Sequence, residues 1–395
     1  MLSARDLFLK NLAQTSDSPL QLEVEKAEGV YLFDTNGKRY FDLISGISVS
    51  NIGHCNPVVV NAINSQVSKY MHLMVYGEFI QQPQVALAKR LTDLLPSSLS
   101  NVYFVNSGSE AVEGAMKLAK RFTGRSEIIS FKNAYHGSTQ GSLSIMGNEE
   151  FKQSFRPLLP NINHIEFNSF SDLNFITTST AAVFIEPVQG EAGVRIPAEG
   201  FSKSLREKCN ETGTLLVFDE IQTGMGRTGH MFAFQKYGVL PDILLLAKAL
   251  GGGMPLGAFI SSKEIMSTLS YNPVLGHITT FGGHPVSCAA ALGALSVLSE
   301  NKIVETVEHK SELFQSLLTK HKAVLEIRRS GLLIAVELGA FEKVLTFIKY
   351  ALEEGVITDW FLFCNTAVRI APPLTITNDQ IREVCSSLLR VLNRL

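Results

Sequence analysis

Ile243-Leu244-Leu245-Leu246-Ala247-Lys248-Ala249-Leu250-Gly251-Gly252-Gly253 is the stretch from which the fold is read. Four aliphatic residues in a row, with no polar alternation, read as a strand buried on both faces. Such a strand belongs inside a parallel sheet covered by helices. One lysine follows it after a single alanine. An ammonium at the end of a buried strand is poorly solvated, so its pKa is expected to fall, and a neutral amine there can form a Schiff base with an aldehyde. The three glycines let other backbone or a ligand come close. The same pattern also fits a lysine that carries its charge out to solvent on an apolar stem.

Working outward, short apolar runs alternate with helical periodicity between about residues 100 and 262. Asn101–Val105, Glu127–Phe131, Ala181–Glu186, Thr214–Asp219, Ile243–Leu246 and Gly257–Ile260 are predicted strands; Ser109–Phe122 and Gly200–Thr212 are predicted helices. This alternation predicts an α/β domain with a mostly parallel sheet. The C-terminal part changes character. Helices are expected at about 285–300 and 303–320, strands around Ala323–Arg329 and Leu332–Leu338, and a helix over Phe341–Glu354. Short strands near Val356–Phe363 and Ala367–Ile370 and a last helix from Asn378 complete an α+β layout. The hairpin Val30–Phe33, Asp34-Thr35-Asn36-Gly37, Arg39–Leu43, with its Asn-Gly turn, is expected to join that second, smaller domain. The expected division is 50–282 for the large domain, with 1–49 and 283–395 forming the small one.

A chain of 395 residues, 45% hydrophobic and 18% charged, with a formal net charge of −2, has the balance of an ordinary globular protein. Mixed charges near neutrality argue against nucleic acid or a membrane surface as the main partner. No 18-residue apolar run occurs, and Met1-Leu2-Ser3-Ala4-Arg5-Asp6 has no apolar signal core, so the expected compartment is the cytoplasm. Cys55, Cys209, Cys288, Cys364 and Cys385 form no CxxC pair, and no histidine pair has metal-ligand spacing. Reduced thiols and no metal are expected.

Three segments carry chemistry. Asn106-Ser107-Gly108-Ser109-Glu110-Ala111 follows a strand and opens a helix, which suits an anion such as phosphate at the helix start; capping by Ser107 or Ser109 is the plain alternative. Ala134-Tyr135-His136-Gly137-Ser138 also follows a strand. Its tyrosine can stack on a planar ring or simply fill core. Asp219, in Val217-Phe218-Asp219-Glu220-Ile221-Gln222, ends an apolar strand where an unpaired carboxylate is costly. It needs a cation, either an ordinary ion-pair partner or a protonated pyridine nitrogen. Asp219 and Lys248, on different strand ends, can face one crevice.

Together with Glu186-Pro187-Val188-Gln189-Gly190-Glu191, Asp219-Glu220-Ile221-Gln222-Thr223-Gly224-Met225-Gly226-Arg227-Thr228-Gly229 and Thr280-Phe281-Gly282-Gly283, these segments stand in the order found in a known family. The chain resembles the class III (acetylornithine, ornithine and 4-aminobutyrate) aminotransferases, pyridoxal-phosphate enzymes of fold type I. The resemblance runs over nearly the whole length. It implies that Lys248 forms the Schiff base and later shuttles the proton, and that Asp219 keeps the pyridine nitrogen protonated. It further implies that Tyr135 and Ile221 cover the two ring faces and that Gln222 meets the phenolic oxygen. Gly108 and Ser109 would bind the phosphate, and Thr280 would reach the phosphate of the neighbouring subunit in a homodimer.

For substrates the resemblance implies that Arg369 grips a carboxylate and that Glu191 neutralises Arg369 when an ω-amine occupies the site. Thr279, Ile47 and Tyr76 would line the outer wall by family position. One departure stands out. Family members usually carry His-Gly-Arg-Thr, and here the order is His136-Gly137-Ser138-Thr139. Losing that arginine removes a charge-assisted pair worth about 1.5–3 kcal/mol. The resemblance implies a reaction from an ω-amine donor of acetylornithine, ornithine or 4-aminobutyrate type to a 2-oxo acid such as 2-oxoglutarate; the missing arginine brings in a putrescine-type diamine or other ω-amine:pyruvate transaminase as the alternative. A pyridoxal-phosphate aminomutase is more distant, because the Glu191–Arg369 pair suits two alternating substrates. A catalytically dead relative would be expected to lack Lys248 or Asp219.

Overall fold

The computed structural model describes residues 2–300 and 302–395. Its central sheet has seven strands: β1 Asn101–Val105, β2 Glu127–Phe131, β3 Ile162–Ile165, β4 Thr180–Ile185, β5 Leu215–Asp219, β6 Ile243–Leu246 and β7 Gly257–Ser261. Their spatial order is β1-β7-β6-β5-β4-β2-β3. β7 runs antiparallel to both its neighbours, and the remaining pairings are parallel. The predicted strands are all present. β3 is an addition: Ile162-Asn163-His164-Ile165 lies at the sheet edge with polar residues partly exposed.

The continuous apolar runs are explained by burial on both sheet faces. Phe131, Ile185, Phe218 and Leu246 pack into one core, while Phe184, Val217 and Leu245 pack into the other. The second core is closed by the helix Gly108–Thr123 through Ala111, Val112, Ala115, Met116, Leu118 and Ala119. These residues recur at helical spacing on one face. Ser107 caps the helix start by accepting from Glu110 N, and Gly124, in the left-handed region, ends it.

Two four-stranded sheets make up the rest. In the first, Val24–Glu28, Tyr31–Asp34 and Arg39–Asp42 form a meander, and Val356–Ile357 from the far end of the chain pairs parallel with Arg39–Asp42. Both chain ends thus share one sheet. In the second, Glu326–Ser330, Leu333–Glu337, Cys364–Ile370 and Trp360–Phe361 are antiparallel throughout. Helices Phe341–Glu353 and Asn378–Leu392 pack against these sheets. Helix Pro285–Glu300 instead lies against Pro57–Val67, Gln82–Asp93 and the turn after β6. Arg227, fully buried, ties the loop after β5 to both chain ends. It donates to the carbonyls of Leu332 (2.8 Å) and Pro372 (2.6 Å), to Ser45 Oγ (3.3 Å) and to Asn51 Oδ1.

Candidate active site

Five chemistry-bearing segments follow the carboxyl ends of parallel strands: Asn106–Ser109 after β1, Tyr135–Ser138 after β2, Glu186–Glu191 after β4, Asp219–Gln222 at the end of β5 and Lys248 after β6. The strand ends of an open α/β sheet are where ligands gather. A cleft of about 480 Å³ lies there, lined by Gly108, Ser109, Tyr135, Asp219, Ile221, Gln222 and Lys248. One cleft therefore holds seven of the residues singled out in the sequence.

Lys248 opens a single 3-10 turn and has φ +47, a left-handed conformation that a side chain rarely adopts. Strain of this kind persists where the surrounding structure enforces it. Here the three glycines that follow allow the turn. Burial holds the Lys248 ammonium below its ordinary pKa; Glu191 works against that shift and Arg369 works with it. The amine is therefore closer to its neutral, nucleophilic form.

Asp219 is buried and paired, with Oδ2 lying 2.7 Å from His136 Nδ1 and Oδ1 accepting from Ile221 N at 3.1 Å. His136 was legible only as part of a motif, and its role as the partner of Asp219 was not. Glu186 is a second addition. It accepts from Tyr135 N (2.9 Å) and Gly190 N (3.2 Å), which joins the loops after β2 and β4. Burial pushes its carboxyl up to about 7.

The first turn of helix Gly108–Thr123 supplies backbone N–H groups that helix geometry leaves over, of which Ser107 takes the one at Glu110. The capping reading of this segment holds, and the capped helix start also lines the cleft. The cleft fits a flat phosphorylated ring. A Cβ on Gly108 would fall 2.8 Å from Ile221 Cδ1, so only glycine leaves Ile221 in place. Gln222 Nε2 is buried with no partner among the described residues, which leaves a donor for an acceptor in the cleft.

A second chamber of about 390 Å³ shares Tyr135 and Lys248 with the cleft and is lined by Ile47, Glu191, Asp359, Trp360 and Arg369. Arg369 and Glu191 are both buried and form a bidentate pair, Nη1–Oε1 2.8 Å and Nη2–Oε2 3.0 Å. Burial alone would raise the Glu191 carboxyl; the Arg369 charge and hydrogen bonds, with Lys248 and the Leu362 N–H, together overcome it and hold that carboxyl below its ordinary value. Burial likewise opposes the Arg369 charge, and Glu191 and Asp359 overcome it. Ser138 faces a third cavity of about 490 Å³, otherwise lined by Tyr135, Gln140, Leu143, Met146, Phe151, Phe155 and Leu362, with no charged side chain among them. Its Oγ lies 3.2 Å from Tyr135 Oη.

Thr279 and Tyr76 are not in this cleft. They line a separate cavity beside β1, where Thr279 Oγ1 accepts from Asn106 Nδ2 at 3.0 Å. Thr280, next to it, is exposed and also absent from the cleft lining of its own chain.

Residues 12–392 match the family model described as aminotransferase class-III. The chain belongs to the class III aminotransferases. An acetylornithine aminotransferase from Methanopyrus kandleri is 39% identical over 393 residues, covering 99% of both chains. A putrescine aminotransferase from Pectobacterium atrosepticum is also 39% identical, over 92% of this chain and 81% of its own. An ornithine aminotransferase from Toxoplasma gondii, in a structure described as holding pyridoxal phosphate at partial occupancy, superposes with a TM-score of 0.91 at 29% identity, covering 98% of this chain and 94% of that one. The fold is accordingly that of fold type I, and this class III aminotransferase is a pyridoxal-phosphate-dependent enzyme. Its substrates are a small amine and an oxo acid. Among the described residues no helix is long and apolar enough to cross a membrane.

Proposed function

We propose that this aminotransferase takes an amino group from an acetylornithine-, ornithine- or 4-aminobutyrate-type donor and delivers it to 2-oxoglutarate. The observation that carries this reading is the buried Arg369–Glu191 pair beside Lys248. A bidentate guanidinium is a carboxylate receptor. Latched by Glu191, it offers no free cation to an amine end; opened, it accepts the carboxylate of the oxo acid. Pyridoxal phosphate supplies the electron sink for the carbanion formed when the proton leaves. The chain's residues do the rest. Lys248 would hold the cofactor and carry that proton, and Asp219, oriented by His136, would hold the proton on the ring nitrogen. Tyr135 and Ile221 would flank the ring, Gln222 would donate to its phenolic oxygen, and Gly108 and Ser109 would bind the phosphate.

The active unit in this reading is a homodimer in which the partner subunit's Thr280 completes the phosphate site. Supporting it, Thr280 lies outside its own chain's cleft. Large apolar side chains also stand open to solvent, Ile80 at 94% and Val274 at 71%, as residues covered in an assembly do. We assign the enzyme to the cytoplasm, in keeping with five free cysteines.

Ser138 and its apolar cavity favour a second reading, in which the donor's far end is uncharged. The cavity lining offers no cation to a carboxylate and no anion to the second ammonium of a diamine. A donor panel with 2-oxoglutarate and pyruvate separates the readings. Acetylornithine turning over best with 2-oxoglutarate supports the first; a plain alkylamine of equal length matching or exceeding it supports the second. Turnover with no oxo acid added would overturn both.

A further inference from the structure

The Arg369 guanidinium is held from several sides, and Glu191 is only one of them. Nε donates to Asp359 Oδ1 at 2.8 Å, and Nη2 donates to the Trp360 carbonyl at 3.0 Å. The Phe361 ring lies 4.6 Å from the guanidinium carbon. Glu191 takes the Nη1/Nη2 edge. Asp359 and Arg369 belong to one piece of structure, because Arg369 N donates to the Asp359 carbonyl at 2.9 Å and Trp360 pairs with Val368. Glu191 comes from another element, the loop after β4, and its own carbonyl stays tied to Phe363 N at 2.9 Å. Rotation of the Glu191 side chain alone therefore frees the Nη1/Nη2 edge.

We propose that Asp359 is a positioning residue for carboxylate recognition. It anchors Nε so that, when Glu191 gives way, the guanidinium keeps its orientation and offers a preformed edge to the oxo acid. Preorganisation of this kind raises affinity because no side-chain ordering is left for the binding step. The charge of Asp359 matters less than its hydrogen bond. It repels Glu191 and an incoming carboxylate at the same position alike, so its charge largely cancels from the exchange between them.

The inference rests on the reading that Arg369 binds the acid's carboxylate, and the experiment distinguishes the two. In the holoenzyme, the Kd of glutarate, a dicarboxylate with no oxo group, is measured by calorimetry, and KM is measured separately for the amine and acid half-reactions. Asp359→Ala should weaken glutarate about tenfold, the scale of one charge-assisted hydrogen bond. It should raise the 2-oxoglutarate KM by a similar factor, several times more than the amine KM. Asp359→Asn, whose oxygen still accepts from Nε, should recover to within about threefold of wild type. Asp359→Ser, too short to reach Nε, stands in for the alanine variant if that one does not fold. Glutarate binding unchanged in Asp359→Ala, an asparagine variant as weak as alanine, or equal rises in both KM values would overturn the anchor, provided Arg369→Ala loses glutarate. If Arg369→Ala binds glutarate normally, the carboxylate reading falls and the anchor with it.

Discussion

Replacing Gly108 with alanine should separate cofactor binding from folding. The new Cβ would lie 2.8 Å from Ile221 Cδ1, 3.2 Å from Cγ2 and 3.4 Å from Cγ1, closer than carbon atoms tolerate. Backbone is not the obstacle, so the isoleucine side chain must turn, and the open space beside it is the cleft. In the cofactor-free protein that movement meets little resistance. Alanine is also the better helix former, by up to about 1 kcal/mol in a helix interior and less at this first position. With the cofactor's ring in place the same movement is blocked, and overpacking of this kind costs about 1–3 kcal/mol. Pyridoxal phosphate should then bind roughly five- to 150-fold more weakly, since about 1.4 kcal/mol is a factor of ten. The assay is titration of the cofactor-free variant with pyridoxal phosphate, followed by its absorbance, beside urea unfolding of the same preparation. A Kd within twofold of wild type would refute the reasoning. So would a loss of apo stability equal to the loss in binding.

Other consequences follow from single residues. The Glu186 carboxyl, raised from 4.5 to about 7 by burial, stays protonated in the folded chain over a pH range where the unfolded chain has released its proton. Stability should therefore fall as pH rises from about 4.5 to 7, by on the order of 3 kcal/mol from this group. Glu186→Gln should flatten that decline in urea unfolding run at pH 5 and pH 7, and an unchanged slope would count against it. Arg227→Met leaves the Leu332 and Pro372 carbonyls and Asn51 Oδ1 without their donor. It should lower stability by about 3 kcal/mol or more, read by denaturant midpoint. Ser138→Arg puts a cation into the apolar cavity. It should raise kcat/KM for acetylornithine about tenfold or more relative to an alkylamine of the same length; an unchanged ratio would show that the donor's carboxylate lies elsewhere.

Much of this was legible because the buried strands are unbroken apolar runs. Leu244-Leu245-Leu246 and Val217-Phe218 advertise a sheet covered on both faces, and chemistry placed just after such runs must lie at the strand ends. β3 and Val24–Glu28 escaped notice for the opposite reason. Both are edge strands with polar or exposed residues, so neither face imposes a pattern. Within the site, Lys248 and Asp219 were found because each is a charge in apolar surroundings, and Arg369 through the family resemblance. Their supporting partners were not: His136, Glu186 and Asp359 are brought to them by pairings that sequence spacing does not encode. Asp359 meets Arg369 only because Trp360 pairs with Val368 across the small sheet. The left-handed backbone of Lys248 likewise left no mark except the glycines after it. Thr279 and Tyr76 lie together, but in a cavity away from Lys248.

The central claim is that Lys248 is the residue to which the cofactor is bound. Borohydride reduction of the purified holoenzyme, followed by peptide mass spectrometry, tests it directly. A phosphopyridoxyl group is expected on the peptide carrying Lys248, and none in Lys248→Ala. A label on another lysine, or a label that survives in Lys248→Ala, would contradict it.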